Sequence, residues 1–138
     1  MRKLFISYRS SDHREVDYIA KQLRSIKDQN GSAKYTTWQD KYDLDAGKSW
    51  WDGIIEAIID CDIFVFHLSP DYLQSKVCIA ELNYARERNR PIIPVVLDSA
   101  YYINPRTKKP DIDFWDDIPD WLGNYQFLFF DDADFLRR

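Results

Sequence analysis

The chain has 138 residues, enough for one domain built on a five-stranded sheet with helices around it. It carries 19 basic and 23 acidic residues, a net charge of −4, and its largest basic blocks are Lys108-Lys109 and Arg137-Arg138, which excludes a phosphate-backbone footprint on nucleic acid. No apolar run approaches the ~20 residues that span a bilayer, and Met1-Arg2-Lys3 leads directly into a strand-like run and not a signal peptide, so the expectation is a cytoplasmic protein away from membranes.

In chain order, Lys3 to Tyr8 (K-L-F-I-S-Y) reads as the first strand. Asp12 with Glu15 three residues on resembles a capping box, and Val16, Ile19, Ala20, Leu23 and Ile26 follow at helical spacing. Asn30-Gly31 is expected to end that helix. Ala33 to Trp38 is the second strand, and the polar stretch Gln39 to Lys48, with Gly47, a loop. Trp50, Trp51, Ile54, Ile55, Ile58 and Ile59 make a second helix.

Asp62 to Leu68 is a continuous apolar run, the pattern of a strand buried on both faces. A turn through Ser69-Pro70-Asp71 follows. Ser75 to Arg90 is the third helix, with Ile79, Leu82 and Ala85 as its inner stripe and Glu81 on the flank near its start. Ile92 to Leu97 and Gln126 to Phe130 are the fourth and fifth strands. The ~28 residues between them are long for a structureless loop, and Phe114 to Leu122 is expected to be a short helix there.

This alternation predicts an α/β fold: a flavodoxin-like, five-stranded parallel sheet of order 2-1-3-4-5 with helices on both faces. In that order the cleft opens at the carboxyl ends of strands one and three, between Tyr8–Asp12 and Ser69–Ser75. Glu81 faces it. A carboxylate there is either a group favoured by the helix dipole or a functional one. The loop Asp40–Lys48 is either an ordinary surface loop or a lid or contact loop.

Other chemistries find no support. The glycines Gly31, Gly47, Gly53 and Gly123 build neither G-x-G-x-x-G nor a Walker A loop nor a nucleophile elbow. His13 and His67 have no metal-like spacing, and His67 reads as a buried structural histidine. Asp113, Asp116, Asp117, Asp131, Asp132 and Asp134 read as a solvated acidic face, so no metal site is expected. Cys61 and Cys78, 17 residues apart, read as buried free thiols. A phosphoacceptor receiver domain would need an aspartate after strand three, where Leu68-Ser69-Pro70 stands.

Four stretches carry a resemblance. Phe5-Ile6-Ser7-Tyr8-Arg9, the run Asp40 to Gly47, and Leu68-Ser69-Pro70 followed by Cys78-Ile79-Ala80-Glu81-Leu82 are similar, in order, to the boxes of TIR (Toll/interleukin-1 receptor) domains. Phe114-Trp115 resembles the final box. The wording is closest to bacterial members that cleave NAD. The resemblance implies a TIR domain over residues 1–138, with Glu81 as catalytic residue of an NAD+ glycohydrolase. It implies a substrate-binding set of Tyr8, Arg9, Ser10, Trp38, Asp40, Tyr42 and Ser69. NAD+ is then consumed as substrate, with no resident cofactor or metal. It further implies self-assembly with other TIR domains through the loop Asp43, Leu44, Asp45, Ala46, Gly47 and Lys48, driven by a fused or associated sensor, in antiphage defence or signalling. The alternative is a non-catalytic TIR interaction module. Strand five lacks a helix to cover it, so the chain is expected to be the N-terminal part of a longer protein, with a helix continuing from Asp134.

Overall fold

The computed structural model describes residues 1–39, 50–112 and 114–130. Five parallel strands form the main sheet: β1 (Arg2–Ser7), β2 (Tyr35–Trp38), β3 (Ile63–Leu68), β4 (Ile92–Val96) and β7 (Leu128–Phe129). Their order is β2-β1-β3-β4-β7, the expected order with β7 as its fifth strand. The register sets Ser7 opposite Phe66 at the end of the β1–β3 pair.

Alternation along each strand builds two cores. Leu4, Ile6 and Tyr8 of the first strand segment, with Val65 and Val95, pack under α1 (His13–Ser25) through Val16 and Ile19. Phe5, Phe64, Phe66 and Val96 point the other way, under α2 (Trp50–Asp60) and α4 (Lys76–Glu87). On that second face Trp38, Phe5 and Phe64 stack across three strands, with centroids 4.9 and 5.1 Å apart. Ser7 shares the parity of Phe5, so its side chain also points to the α4 face.

Several local expectations change. α1 ends at Ser25, and Asn30-Gly31 belongs to a tight turn closed by a Lys27–Ala33 bridge, where Gly31 takes φ +80°. Asp12 precedes α1 without capping it; its carboxylate is engaged elsewhere. The chain from Ser69 to Arg90 holds two helices, a short α3 (Pro70–Gln74) and then α4. The Ser69 hydroxyl caps α3 by accepting from Tyr72 N at 3.2 Å, and the Ser75 hydroxyl caps α4 by accepting from Cys78 N at 3.2 Å.

The long segment after β4 forms a small antiparallel pair, β5 (Tyr102–Ile103) with β6 (Pro110–Asp111). Phe114 to Leu122 is two 3-10 turns, Trp115–Asp117 and Asp120–Asn124, and not one helix. Pro119 is the reason: it offers no amide hydrogen and drives Ile118 to ψ 133°. The loop Asp40–Lys48 and the expected helix beyond Asp134 lie outside the described residues. Among the described residues, no helix is long and apolar enough to cross a membrane.

Candidate active site

β1 and β3 are neighbours, but the chain leaves them for opposite faces of the sheet. From β1 it passes to α1; from β3 it passes through α3 to α4. That divergence opens the switch-point position at the carboxyl ends of the two strands. Three buried polar side chains converge there from three elements: Ser7 at the end of β1, Tyr72 on α3 and Glu81 on α4.

Glu81 does not lie on the flank of its helix. The buried stripe of α4 is Cys78, Glu81, Leu82 and Ala85, and Ile79 is only partly buried. The spacing i, i+3, i+4, i+7 is that of a core-facing helix, with the carboxylate inside the apolar row. Nor is Glu81 in the first turn, since α4 begins at Lys76. It is 3 % exposed.

A carboxylate buried to that extent needs hydrogen bonds. The Ser7 hydroxyl donates to Glu81 Oε1 at 2.8 Å. The Tyr72 hydroxyl lies 2.7 Å from Ser7 Oγ and 3.3 Å from the Cys78 carbonyl. Burial pushes the Tyr72 phenol well above its ordinary range, and the neighbouring Cys78 and Glu81 groups add to the shift. It therefore stays protonated and acts as a donor.

The backbone beneath is held from both faces. His67 Nδ1 donates to the Ser7 carbonyl at 3.1 Å from the α1 side. Cys78 Sγ donates to the Tyr8 carbonyl at 3.4 Å from the α4 side. Full burial pushes the His67 ring down to about 4, so the ring is neutral at pH 7 with its proton on Nδ1. Both cysteines are buried thiols with no disulfide between them.

The residues named from the sequence fall in different places. Tyr8 is buried in the α1-side core, and Trp38 is stacked on Phe5. Arg9 is half-buried and Ser10 exposed, both at the mouth of the β1–α1 connection. Ser69 is buried, caps α3 and donates to the Asp12 carboxylate. Burial in turn pushes the Asp12 carboxyl above its usual range. Asp40, Tyr42 and Asp43 to Lys48 lie outside the described residues. Tyr72 went unnamed from the sequence, and Ser7 was named only within its box. Ser7 left one trace, as a polar residue at an inward position of an otherwise apolar strand.

Two grooves lie away from Glu81. One, of 280 Å³, is lined by Lys3, Thr36, Trp38 and Asp60 among others. The other, of 180 Å³, is apolar and lies on the α1 face, with Leu4, Leu23, Val95 and Phe129 in its wall.

Known proteins share this architecture. The crystal structure of the TIR domain of the Toll-related receptor TRR-2 from Hydra magnipapillata superposes with a TM-score of 0.68 at 19 % identity, over 99 % of this chain and 90 % of that one. The metazoan TIR-STING receptor from C. gigas, solved with 2',3'-cGAMP, matches with a TM-score of 0.63 at 21 % identity, over 97 % of this chain and 38 % of that one. The Clostridium botulinum CMP N-glycosidase BcmB matches with a TM-score of 0.55 at 12 % identity, over 98 % of this chain and 95 % of that one. At these identities the likeness is one of fold. No curated protein matches the chain. The TIR domain family model matches residues 4–128, which is most of the sequence. With the β2-β1-β3-β4-β7 sheet and helices on both faces, this chain belongs to the TIR domain family.

Proposed function

We propose that this chain is an NAD+ glycohydrolase that releases nicotinamide and works as a self-assembling cytoplasmic effector in signalling or antiphage defence. The observation that carries the reading is a single glutamate, buried at the carboxyl ends of β1 and β3 and hydrogen-bonded by Ser7. NAD+ brings its own cationic leaving group. When the bond between nicotinamide and ribose C1′ breaks, the electron pair leaves with nicotinamide and neutralises the pyridinium. The positive charge moves to an oxocarbenium-like ribose, which a fixed carboxylate stabilises. Water adds at C1′ and releases a proton, giving ADP-ribose; attack from within the molecule gives a cyclic isomer. No resident cofactor enters these steps. Arg9 is suited to the pyrophosphate. BcmB, of the same fold, acts on the N-glycosidic bond of CMP, which supports this bond class as one the fold can host.

The proposed assembly runs through Asp43–Lys48, with a sensor module bringing copies together. Specific activity then rises with protein concentration; a flat dilution series would make the monomer the enzyme.

A second reading is a non-catalytic interaction module. At 3 % exposure Glu81 is closed off from solvent, and a module that only binds partners does not need a substrate to reach it. One experiment separates the two readings and the substrate class. Concentrated protein is incubated with NAD+ or with CMP, and free base is resolved by chromatography. Nicotinamide from NAD+ and no cytosine from CMP supports the proposal. Cytosine alone would move the substrate class to pyrimidine nucleotides. Neither base at any concentration would leave the interaction module.

A further inference from the structure

We infer that Ser7 and Tyr72 form a one-directional hydrogen-bond chain that orients the Glu81 carboxylate, making both of them positioning residues for the N-glycosidic reaction. This rests on the reading of Glu81 as the catalytic group.

The direction follows from counting protons. A serine hydroxyl has one proton, and Ser7 donates it to Glu81 Oε1, 2.8 Å away. Ser7 Oγ can then only accept from its other neighbour, the Tyr72 hydroxyl at 2.7 Å. Tyr72 has one proton, and the Cys78 carbonyl at 3.3 Å is the more distant acceptor. The chain therefore runs Tyr72 to Ser7 to Glu81 and ends on the charge. Each donor polarises the next, and the low local dielectric strengthens both bonds. All three side chains are buried, which removes water as a competing donor.

The placement of Tyr72 is specific to this connection. It sits on α3, an insert of only five residues between β3 and α4, whose first turn is capped by Ser69. Donors aimed at the charged form counteract the desolvation that burial imposes on Glu81. Among the described residues, the titratable groups around the carboxylate include Tyr72 from α3, Cys78 one turn earlier on α4, and His67 of β3, which holds the Ser7 carbonyl. Asp12 lies beyond Ser69. Asp52 and Glu56 of α2, and Lys76 and Arg86 of α4, are exposed.

The test uses Ser7→Ala, Ser7→Thr, Tyr72→Phe and Glu81→Gln in the full chain. Glu81 is followed in two ways: by kcat and KM for nicotinamide release across pH, and by the ¹³C carboxyl resonance of Glu81, assigned by its loss in Glu81→Gln. Ser7→Ala should lower kcat about 10-fold or more with KM little changed. Its Glu81 titration, and the acid limb of its kcat/KM profile, should move upward by about one pH unit. Tyr72→Phe should produce the same changes at roughly half that pH shift, and Ser7→Thr should restore both readouts. An unmoved Glu81 titration in folded Tyr72→Phe and Ser7→Ala overturns the chain, even if kcat falls. Undiminished nicotinamide release by Glu81→Gln overturns the underlying catalytic reading instead. The carboxyl titration needs no substrate, so the two failures are told apart.

Discussion

The first strand carries a polar cluster at each end, and the two ends work in opposite ways. At the amino end the Lys3 ammonium meets the Asp60 carboxylate at 2.8 Å, and Asp62 accepts from the Lys3 amide at 2.7 Å. These side chains are open to water, with Lys3 55 % and Asp60 67 % exposed. At the carboxyl end Ser7, Tyr72 and Glu81 are closed off from it. Water screens the first cluster, so its charges do little for the fold. The second cluster carries a desolvation cost that only well-made hydrogen bonds offset. A domain that needed stability alone gains little from a carboxylate in the apolar stripe of α4. That contrast directs attention to the carboxyl end as the place for the proposed chemistry.

Four measurements, taken as urea-unfolding midpoints, sharpen or break the contrast. The largest effect is expected from Tyr72→Ala. It removes a fully buried ring packed against Phe66 at 5.3 Å and should cost about 3–5 kcal/mol. A loss below about 1 kcal/mol would mean that α3 is not part of the core.

Next is the pH dependence carried by His67. Its folded value, about 4, lies below the ordinary 6.5, so the unfolded chain takes up the proton first. The contribution is full above pH 6.5 and is lost as pH falls toward 4, amounting to about 3 kcal/mol across that window. His67→Gln should flatten the decline over the same range. An unchanged slope would assign the acid sensitivity to other groups.

Tyr72→Phe keeps the ring and removes the donor to Ser7, and should cost about 1 kcal/mol. It thereby separates the hydrogen bond from the packing that Tyr72→Ala removes with it. The smallest effect is expected at the other end of β1, where Lys3→Ala should leave the midpoint within experimental scatter. A clear loss there would show that the two ends of the strand are not as different as their exposure implies.

The strand order was legible because each strand announces itself locally. Asp62 to Leu68 is continuously apolar, and the alternation of strands and helices leaves few topologies for a parallel sheet. Glu81 stood out in the sequence as a candidate; its environment was not legible. Reading Ile79, Leu82 and Ala85 as the inner stripe moved Glu81 to the flank, whereas the buried row is Cys78, Glu81, Leu82 and Ala85. A carboxylate inside a core-facing stripe runs against ordinary burial preference, so pattern reading discounts the arrangement that exists here.

The hydrogen-bond chain was out of reach for a different reason. Ser7 meets Tyr72 across 65 residues and Glu81 across 74, and no local pattern encodes those meetings. The segment Phe114 to Leu122 failed as a helix on a signal that was present, the backbone restriction that Pro119 places on Ile118. Tyr8 and Trp38, expected to bind substrate, set their rings against the sheet cores, and Trp38 also lines the 280 Å³ groove.

The most direct test of the central claim is a paired turnover measurement on wild-type protein and Glu81→Gln, at equal high concentration, with matched circular dichroism and melting curves as proof of fold. Nicotinamide released from NAD+ is quantified over time by chromatography. The account predicts steady release by the wild type and a loss of about 10²-fold or more in the variant, the scale expected for a central electrostatic group. Release by folded Glu81→Gln at the wild-type rate would contradict it.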